Sequence, residues 1–259
     1  MKAVKVSLPT DLKSVEIYTF SDLHLGDRHC KTKEILAAIE AVRKKPNAYV
    51  ILNGDILNNA TTQSVSDTYS EALSPMEQLR KAVDMFAPIK DRILAITTGN
   101  HENRTYRTDG IDLTEILAIE LGLKDRYSPE SMVLFLRVGD KVRKTHKNQQ
   151  VCYVFYITHG SGGGRREGSK VNRLVDLAGI IDADIYIHSH THTPIVLKQA
   201  FYRTDVYNST FAEVEKLFVN TNAWLSYGGY GEAQNYKPAS TKAPVIYLSG
   251  SRKEFDAKV

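Results

Sequence analysis

Short apolar runs alternate with helix-periodic stretches along the chain up to about residue 195. Five runs rich in aromatic and β-branched side chains predict buried strands: 15–20 (VEIYTF), 49–53 (YVILN), 93–98 (ILAITT), 152–158 (CYVFYIT) and 184–188 (DIYIH). Between them, apolar positions recur at helical spacing. In 32–44, Ile35, Ile39 and Val42 share a face. Segment 74–86 opens on Ser74-Pro75-Met76-Glu77, a capping box with proline at the first helical position, and Met76, Leu79, Val83 and Phe86 fall on one stripe. Segment 112–121 ends at Gly122, a C-terminal cap, and 169–178 carries Val171, Leu174, Val175 and Ala178. Beyond 195 the text is strand-like and turn-rich, with no further clear helix. Strands alternating with helices predict a layered α/β architecture.

Composition changes this picture little. With 259 residues the chain can form one large α/β domain or two small ones, and 42% hydrophobic residues supply a real core. No repeat, low-complexity tract or long linker divides it, so residues 1–259 are read as a single domain. The formal charge is +4, and 137–147 alone holds five basic residues (Arg137, Lys141, Arg143, Lys144, Lys147) against Asp140. The remainder is near neutral, which argues against a generally basic nucleic-acid surface. Two distant cysteines, Cys30 and Cys152, make no disulfide framework and favour a reducing compartment. The first residues lack the continuous apolar core of a signal peptide, and nothing approaches the roughly 18–20 apolar residues that span a bilayer. A cytoplasmic protein with no membrane partner is expected.

The chemistry sits just past the strands. Asp22-Leu23-His24 follows the first, Gly54-Asp55 the second, Gly99-Asn100-His101-Glu102 the third and His159-Gly160 the fourth, while the fifth leads into His190-Thr191-His192. Five of the eight histidines fall in these motifs. A lone Asp-x-His or Gly-Asp is ordinarily a turn. Five such groups in order, each beyond an apolar strand, predict one pocket at the carboxyl ends of the strands. Carboxylate, imidazole and amide oxygen form a donor set suited to Mn, Fe or Zn. In extended chain, residues i and i+2 point the same way, so Asp22 with His24, and His190 with His192, can each present two donors to one side. A carboxylate at Asp55 can bridge two ions.

This ordered series resembles the calcineurin-like metallophosphoesterase superfamily, over residues 21 to about 194. The resemblance implies a four-layer αββα sandwich of two mixed sheets flanked by helices; residues 195–259, beyond the matched stretch, are expected to complete the second sheet and form a glycine-rich aromatic loop. It implies two divalent ions, manganese favoured, with Fe, Zn or Ni as alternatives. One ion would be held by Asp22, His24, Asp55 and His192, the other by Asp55, Asn100, His159 and His190. His101 would be no ligand but the catalytic group, a general acid or transition-state stabiliser over the phosphate. Hydroxide shared by the two ions would attack phosphorus in line. Ser189 stands where glycine usually precedes the last histidine pair. Asp55 is followed by Ile56-Leu57-Asn58, without the Asp-Arg pair of the protein serine/threonine phosphatase branch, so that branch is disfavoured.

Substrate choice is less legible. Arg165 and Arg166, after Gly160-Ser161-Gly162-Gly163-Gly164, and Arg104 and Arg107, after His101, are candidates for anion capture, or else solvated arginines. The basic stretch 141–147 reads as a solvated hairpin tip between strands near 132–138 and 151–158, or as a phosphate-backbone contact. Trp224, Tyr227, Tyr230 and Tyr236 could cover the pocket or stack a base, but such aromatics more often pack a loop onto its domain. His188 reads as a packing or supporting residue. The expected activity is hydrolysis of a phosphomonoester or phosphodiester, with a small molecule such as a nucleotide favoured. A manganese-dependent DNA exo- or endonuclease is the alternative, since Ser21 to Gly26 looks like the start of the superfamily's repair exonucleases, and a silent binding scaffold is the remaining reading.

Overall fold

The computed structural model describes residues 1–62, 64, 68–141, 149–238 and 240–259. Twelve strands are described: β1 (Lys2–Ser7), β2 (Ser14–Phe20), β3 (Ala48–Asn53), β4 (Ile93–Thr97), β5 (Tyr127–Ser128), β6 (Met132–Lys141), β7 (Gln149–Ile157), β8 (Ile185–His188), β9 (Ile195–Asp205), β10 (Thr210–Asn220), β11 (Val245–Ser249) and β12 (Phe255–Lys258). They form two six-stranded mixed sheets, ordered β12-β11-β2-β3-β4-β5 and β1-β6-β7-β8-β10-β9. In the first, β2 to β5 run parallel while β11 is antiparallel to β2.

Period-two alternation explains the layering. In β3 every residue is buried, because both faces are covered. Tyr49 and Ile51 face the other sheet, sharing a core with Ile17, Leu134, Phe155, Ile187 and Val219. Val50 and Leu52 face outward, onto the helices α1 (Thr32–Lys44), α2 (Pro75–Phe86) and α4 (Leu113–Glu120) through Ile35, Ile39, Leu79, Phe86 and Leu117. The outer face of the other sheet packs Tyr156, Tyr186 and Phe218 under Leu174 of α5 (Glu167–Asp176). The result is helix, sheet, sheet, helix. No helix among the described residues is long and apolar enough to cross a membrane.

Several expectations need amendment. Helix α1 and its buried face are as the sequence predicts, and Ser74 caps α2 reciprocally with Glu77. Met76, however, is exposed, and the buried face of α2 instead takes in Gln78, whose amide oxygen accepts from Asn59 N at 2.9 Å. In α5 only Leu174 of the expected stripe is fully buried. Segment 195–259 does not merely complete the second sheet: β9 and β10 extend one sheet and β11 and β12 the other. The glycine-rich aromatic segment contains a short helix, α6 (Gly229–Ala233). Trp224 is core, stacked on Phe20 with ring centroids 5.7 Å apart. Besides α6, three elements have no counterpart among the expected ones: edge strand β1, the two-residue β5, and α3 (Glu102–Asp109), whose residues are polar almost throughout. The tip 142–148 and the side chain of Tyr230 lie outside the described residues.

Candidate metal centre

The loops after β2 and β3 continue side by side beyond the sheet. Asp22 N donates to Gly54 O at 3.1 Å, His24 N to Asp55 O at 3.1 Å and Leu25 N to Ile56 O at 2.9 Å. This brings the Asp22, His24 and Asp55 side chains to one place. The route differs from the extended presentation that the sequence predicts. Asp22, His24, His190 and His192 all have left-handed backbones, with φ of 51°, 49°, 64° and 57°. Such conformations cost L-residues about 1–2 kcal/mol each and gather where function demands an aim that a strand cannot give. Asp55, at φ 50°, follows Gly54 at φ 76°. Gly54 also admits a close approach: a Cβ there would lie 2.6 Å from Gly99 Cα and 2.7 Å from His159 Nδ1.

All seven expected ligand residues converge. Asp22, His24 and His192 bring one donor atom each within 4.8 Å of one another, as do Asp55, His159 and His190. Asn100 Oδ1 lies 2.7 Å from His190 Nδ1 and 3.2 Å from His159 Nε2. Within these sets, His24 Nε2 and His192 Nε2 are 3.3 Å apart and His159 Nε2 is 3.2 Å from Asp55 Oδ2. Asp22 Oδ1 lies 3.1 Å from His192 Nε2, yet no donor is aligned on it and it is a buried atom without a hydrogen bond. Lone pairs converging with few protons between them are what divalent ions would fill, so the donor set fits such ions.

Neighbouring groups fix the ring orientations. His159 Nδ1 donates to Asn53 O at 2.7 Å and His24 Nδ1 to Asn58 Oδ1 at 3.2 Å, which turns both Nε2 atoms inward. Asn58 in turn donates to Glu71. His188 is buried, with Nδ1 2.8 Å from Asn220 Oδ1. Glu102 is fully buried and accepts from Asp55 N (3.1 Å), Gly99 N (3.1 Å) and Leu57 N (2.9 Å). Its carboxylate pins the β3 and β4 loops together. The sequence reading gives Glu102, Asn53, Asn58 and Glu71 no role; acceptors that serve backbone amides, as Glu102 does, or that stand behind a ring or an amide, as the others do, leave no spacing pattern.

The electrostatics reflect two buried carboxylates among imidazoles. Burial alone would raise the Asp22 pKa, but His192 and His159 draw it down to about 2. Asp55 is held well below the carboxylate range by His159 and His101 despite burial. Burial disfavours the charged form of His159, yet the Asp55 and Asp22 carboxylates raise its pKa to about 10. Burial and the His159 charge push His190 down to about 4. Burial and the Asp55 charge raise Glu102 to about 7.

His101 stands at the edge of the cluster, with Nε2 3.8 Å from Asp55 Oδ2. Arg104 is half-buried and touches His101, with Nη2 2.9 Å from Nε2. Arg107, Arg165 and Arg166 are exposed, and among the described residues none of their side chains bonds to the cluster. Arg165 instead lies over the Tyr236 ring, 5.8 Å from its centroid. Cys30 and Cys152 are free thiols.

A family model for the calcineurin-like phosphoesterases matches residues 16–194, well over half of the chain, and the chain belongs to that family. No curated protein matches significantly. Among solved structures, a conserved uncharacterized protein from Streptococcus pneumoniae TIGR4, described as a predicted phosphoesterase, is 15% identical, with 95% of this chain and 90% of that one covered and a TM-score of 0.39. A metallophosphoesterase from Sphaerobacter thermophilus is 13% identical, with 93% and 90% covered and a TM-score of 0.39. The nuclease MPE of Pseudomonas putida is 12% identical, with 93% and 87% covered and a TM-score of 0.36.

Proposed function

We propose that the chain is a binuclear metal-dependent phosphoesterase, with residues 1–259 acting as one unit. Asp22, His24, Asp55 and His192 would hold one divalent ion, and Asp55, Asn100, His159 and His190 the other. The observation that carries this reading is the convergence of two donor triads, Asp22, His24 and His192 in one and Asp55, His159 and His190 in the other, each with two buried members, and with the His24 and His159 Nε2 atoms turned inward by partners on their far sides. Imidazole, carboxylate and amide oxygen suit manganese first, with Fe, Zn or Ni as alternatives. When bound, such ions would supply a water whose pKa is lowered to about 7 and positive charge for the phosphoryl oxygens.

The protein's own groups do the rest. Asp55 and Asp22 offset the cations, and each accepts a backbone N–H, from His101 at 2.9 Å and His190 at 3.3 Å, which fixes their carboxylates. Glu102 holds the Asp55 backbone. His101 and Arg104 border the cluster where an ester's phosphate would lie. A small phosphomonoester or phosphodiester is the favoured substrate.

The test is metal stoichiometry together with hydrolysis under Mn, Ni, Zn and Mg. Chromogenic mono- and diesters should be set against cyclic nucleotides, nucleoside phosphates and single- and double-stranded DNA. About two ions per chain and turnover of a small ester are expected. Cleavage of DNA alone, with salt-sensitive binding, would favour the nuclease reading. Neither metal nor hydrolysis would leave a binding scaffold.

A further inference from the structure

Two cations of α5 are fastened beside the metal centre by neutral partners. Lys170 and Arg173, three residues apart, share one face of the helix. Lys170 Nζ donates to Thr193 Oγ1 at 2.5 Å, and Thr193 directly follows His192. That hydroxyl in turn donates to Thr191 O at 3.2 Å. Arg173 Nη1 donates to Ser161 O at 2.9 Å, and Ser161 stands two residues past His159. The loop is shaped for this contact: Gly162 has a φ of 91°, and a Cβ there would overlap Arg173 Nη1. Each cation is therefore held just beyond a candidate ligand.

Neither charge is neutralised. Among the described residues, no carboxylate lies within ion-pairing distance of Lys170 or Arg173. Glu167, in the same turn as Lys170, acts on it through space, but its carboxylate is taken by Lys237 at 2.8 Å. Lys170 is half-buried, and burial lowers its pKa. An ammonium and a guanidinium each carry several donor hydrogens, yet among the described residues each makes a single bond to protein. Tethering a hydroxyl or a carbonyl needs a donor and no charge. Two restrained cations with spare donors, facing no acid, are suited to an anion.

We propose that Lys170 and Arg173 form a binding site for a second phosphate, so that the substrate carries an anionic phosphate beside the scissile ester, as a nucleoside bisphosphate or a nucleic-acid strand does. The inference rests on the phosphoesterase reading above and narrows its substrate class. The two side chains take no part in bond making or breaking. They donate to oxygens of the second phosphate and hold the ester at the metal centre, with Arg165 and Arg166 adding positive charge from the same loop.

The experiment uses manganese-loaded protein and p-nitrophenyl thymidylates, with the scissile ester on either sugar hydroxyl and each prepared with and without a second phosphate on the other. Metal content and circular dichroism are checked for every variant. Wild type should favour the bisphosphorylated member of at least one pair by about tenfold in kcat/KM, through KM. In K170Q and R173Q the side-chain amide can still donate to Thr193 or to Ser161 O, so a mere tether survives. Each should cut the preference at least about threefold, the double variant should abolish it, and K170R should keep most of it. Oligothymidylates of increasing length separate the two sources: affinity that climbs with length assigns the second phosphate to a strand, and affinity that levels off at the bisphosphate assigns it to a small molecule. The proposal is overturned if wild type shows no preference in either pair, or if K170Q and R173Q keep the wild-type ratio. If wild type hydrolyses none of these esters, the phosphoesterase reading fails instead. Titration of thymidine bisphosphate and of thymidylate into wild type and K170Q then decides the site, and equal affinities of the two proteins for the bisphosphate overturn it.

Discussion

Glu102 offers the most direct test of what holds the centre together. Its Oε2 accepts from Asp55 N and Gly99 N, both at 3.1 Å, and its Oε1 accepts from Leu57 N at 2.9 Å. Three amides of two loops thus share one buried side chain. Leaving a buried donor unpaired costs about 1–3 kcal/mol. In Glu102→Gln the amide oxygen can take the place of Oε2 and keep two bonds, leaving the new NH2 group against Leu57 N–H. One unmet donor predicts a loss of about 1–2 kcal/mol. In Glu102→Ala all three amides lose their acceptor; partial entry of water limits the loss to about 3–5 kcal/mol. Urea denaturation of chelator-treated protein measures both, and equal m-values ensure that the same transition is compared. An alanine variant no less stable than the glutamine variant, or a loss below about 1 kcal/mol in both, would refute the pinning role.

Three further outcomes are expected. Asp55→Asn should lower bound metal, read by elemental analysis, and reduce hydrolysis at least about 100-fold, beyond the ~10–100-fold typical of residues that only orient a ligand; unchanged occupancy with full activity would contradict the ligand assignment. The folded pKa of His159 lies near 10, above the ordinary 6.5, so the stability its charge confers on metal-free protein is fully present below pH 6.5 and lost as pH rises through 10. Urea midpoints of the metal-free protein should therefore fall across that window, less so in His159→Gln, and calorimetry in buffers of different ionisation enthalpy should detect proton release when manganese binds. Chelation should abolish hydrolysis while leaving far-ultraviolet circular dichroism nearly unchanged, because the ligands stand beyond the strands and the sheets keep their cores; a large loss of ellipticity would show that the ions hold the fold itself.

The sequence discloses whatever obeys a period or a spacing. The β3 run is apolar without interruption because both of its faces are covered, and the five motifs after the strands mark all seven candidate ligands. Elements lacking such a signature escape. Helix α3 shows no apolar face because it buries little more than Glu102, and its stop is visible only in Gly110 at φ 71°. Strand β1 buries only Val4 and takes its place by pairing with β6, more than a hundred residues away. Met76 fits the helical stripe of α2 on paper, yet the buried face runs through Gln78, Leu79, Ala82, Met85 and Phe86 and leaves Met76 in solvent. The arginines divide for a similar reason: four look alike in the text, and only Arg104 has its third neighbour back along a helix at His101.

The left-handed backbones at Asp22, His24, Asp55, His190 and His192 bear on how this chain can change over time. At these positions glycine would relieve strain that the present side chains impose. Selection for thermal robustness alone would therefore erode the cluster one residue at a time, each step yielding a sturdier molecule with a poorer pocket. Five such residues standing in one cluster are what a demand for bound ions would maintain. A lineage released from that demand would be expected to lose these side chains first, while β3, whose burial serves two cores at once, stayed as it is.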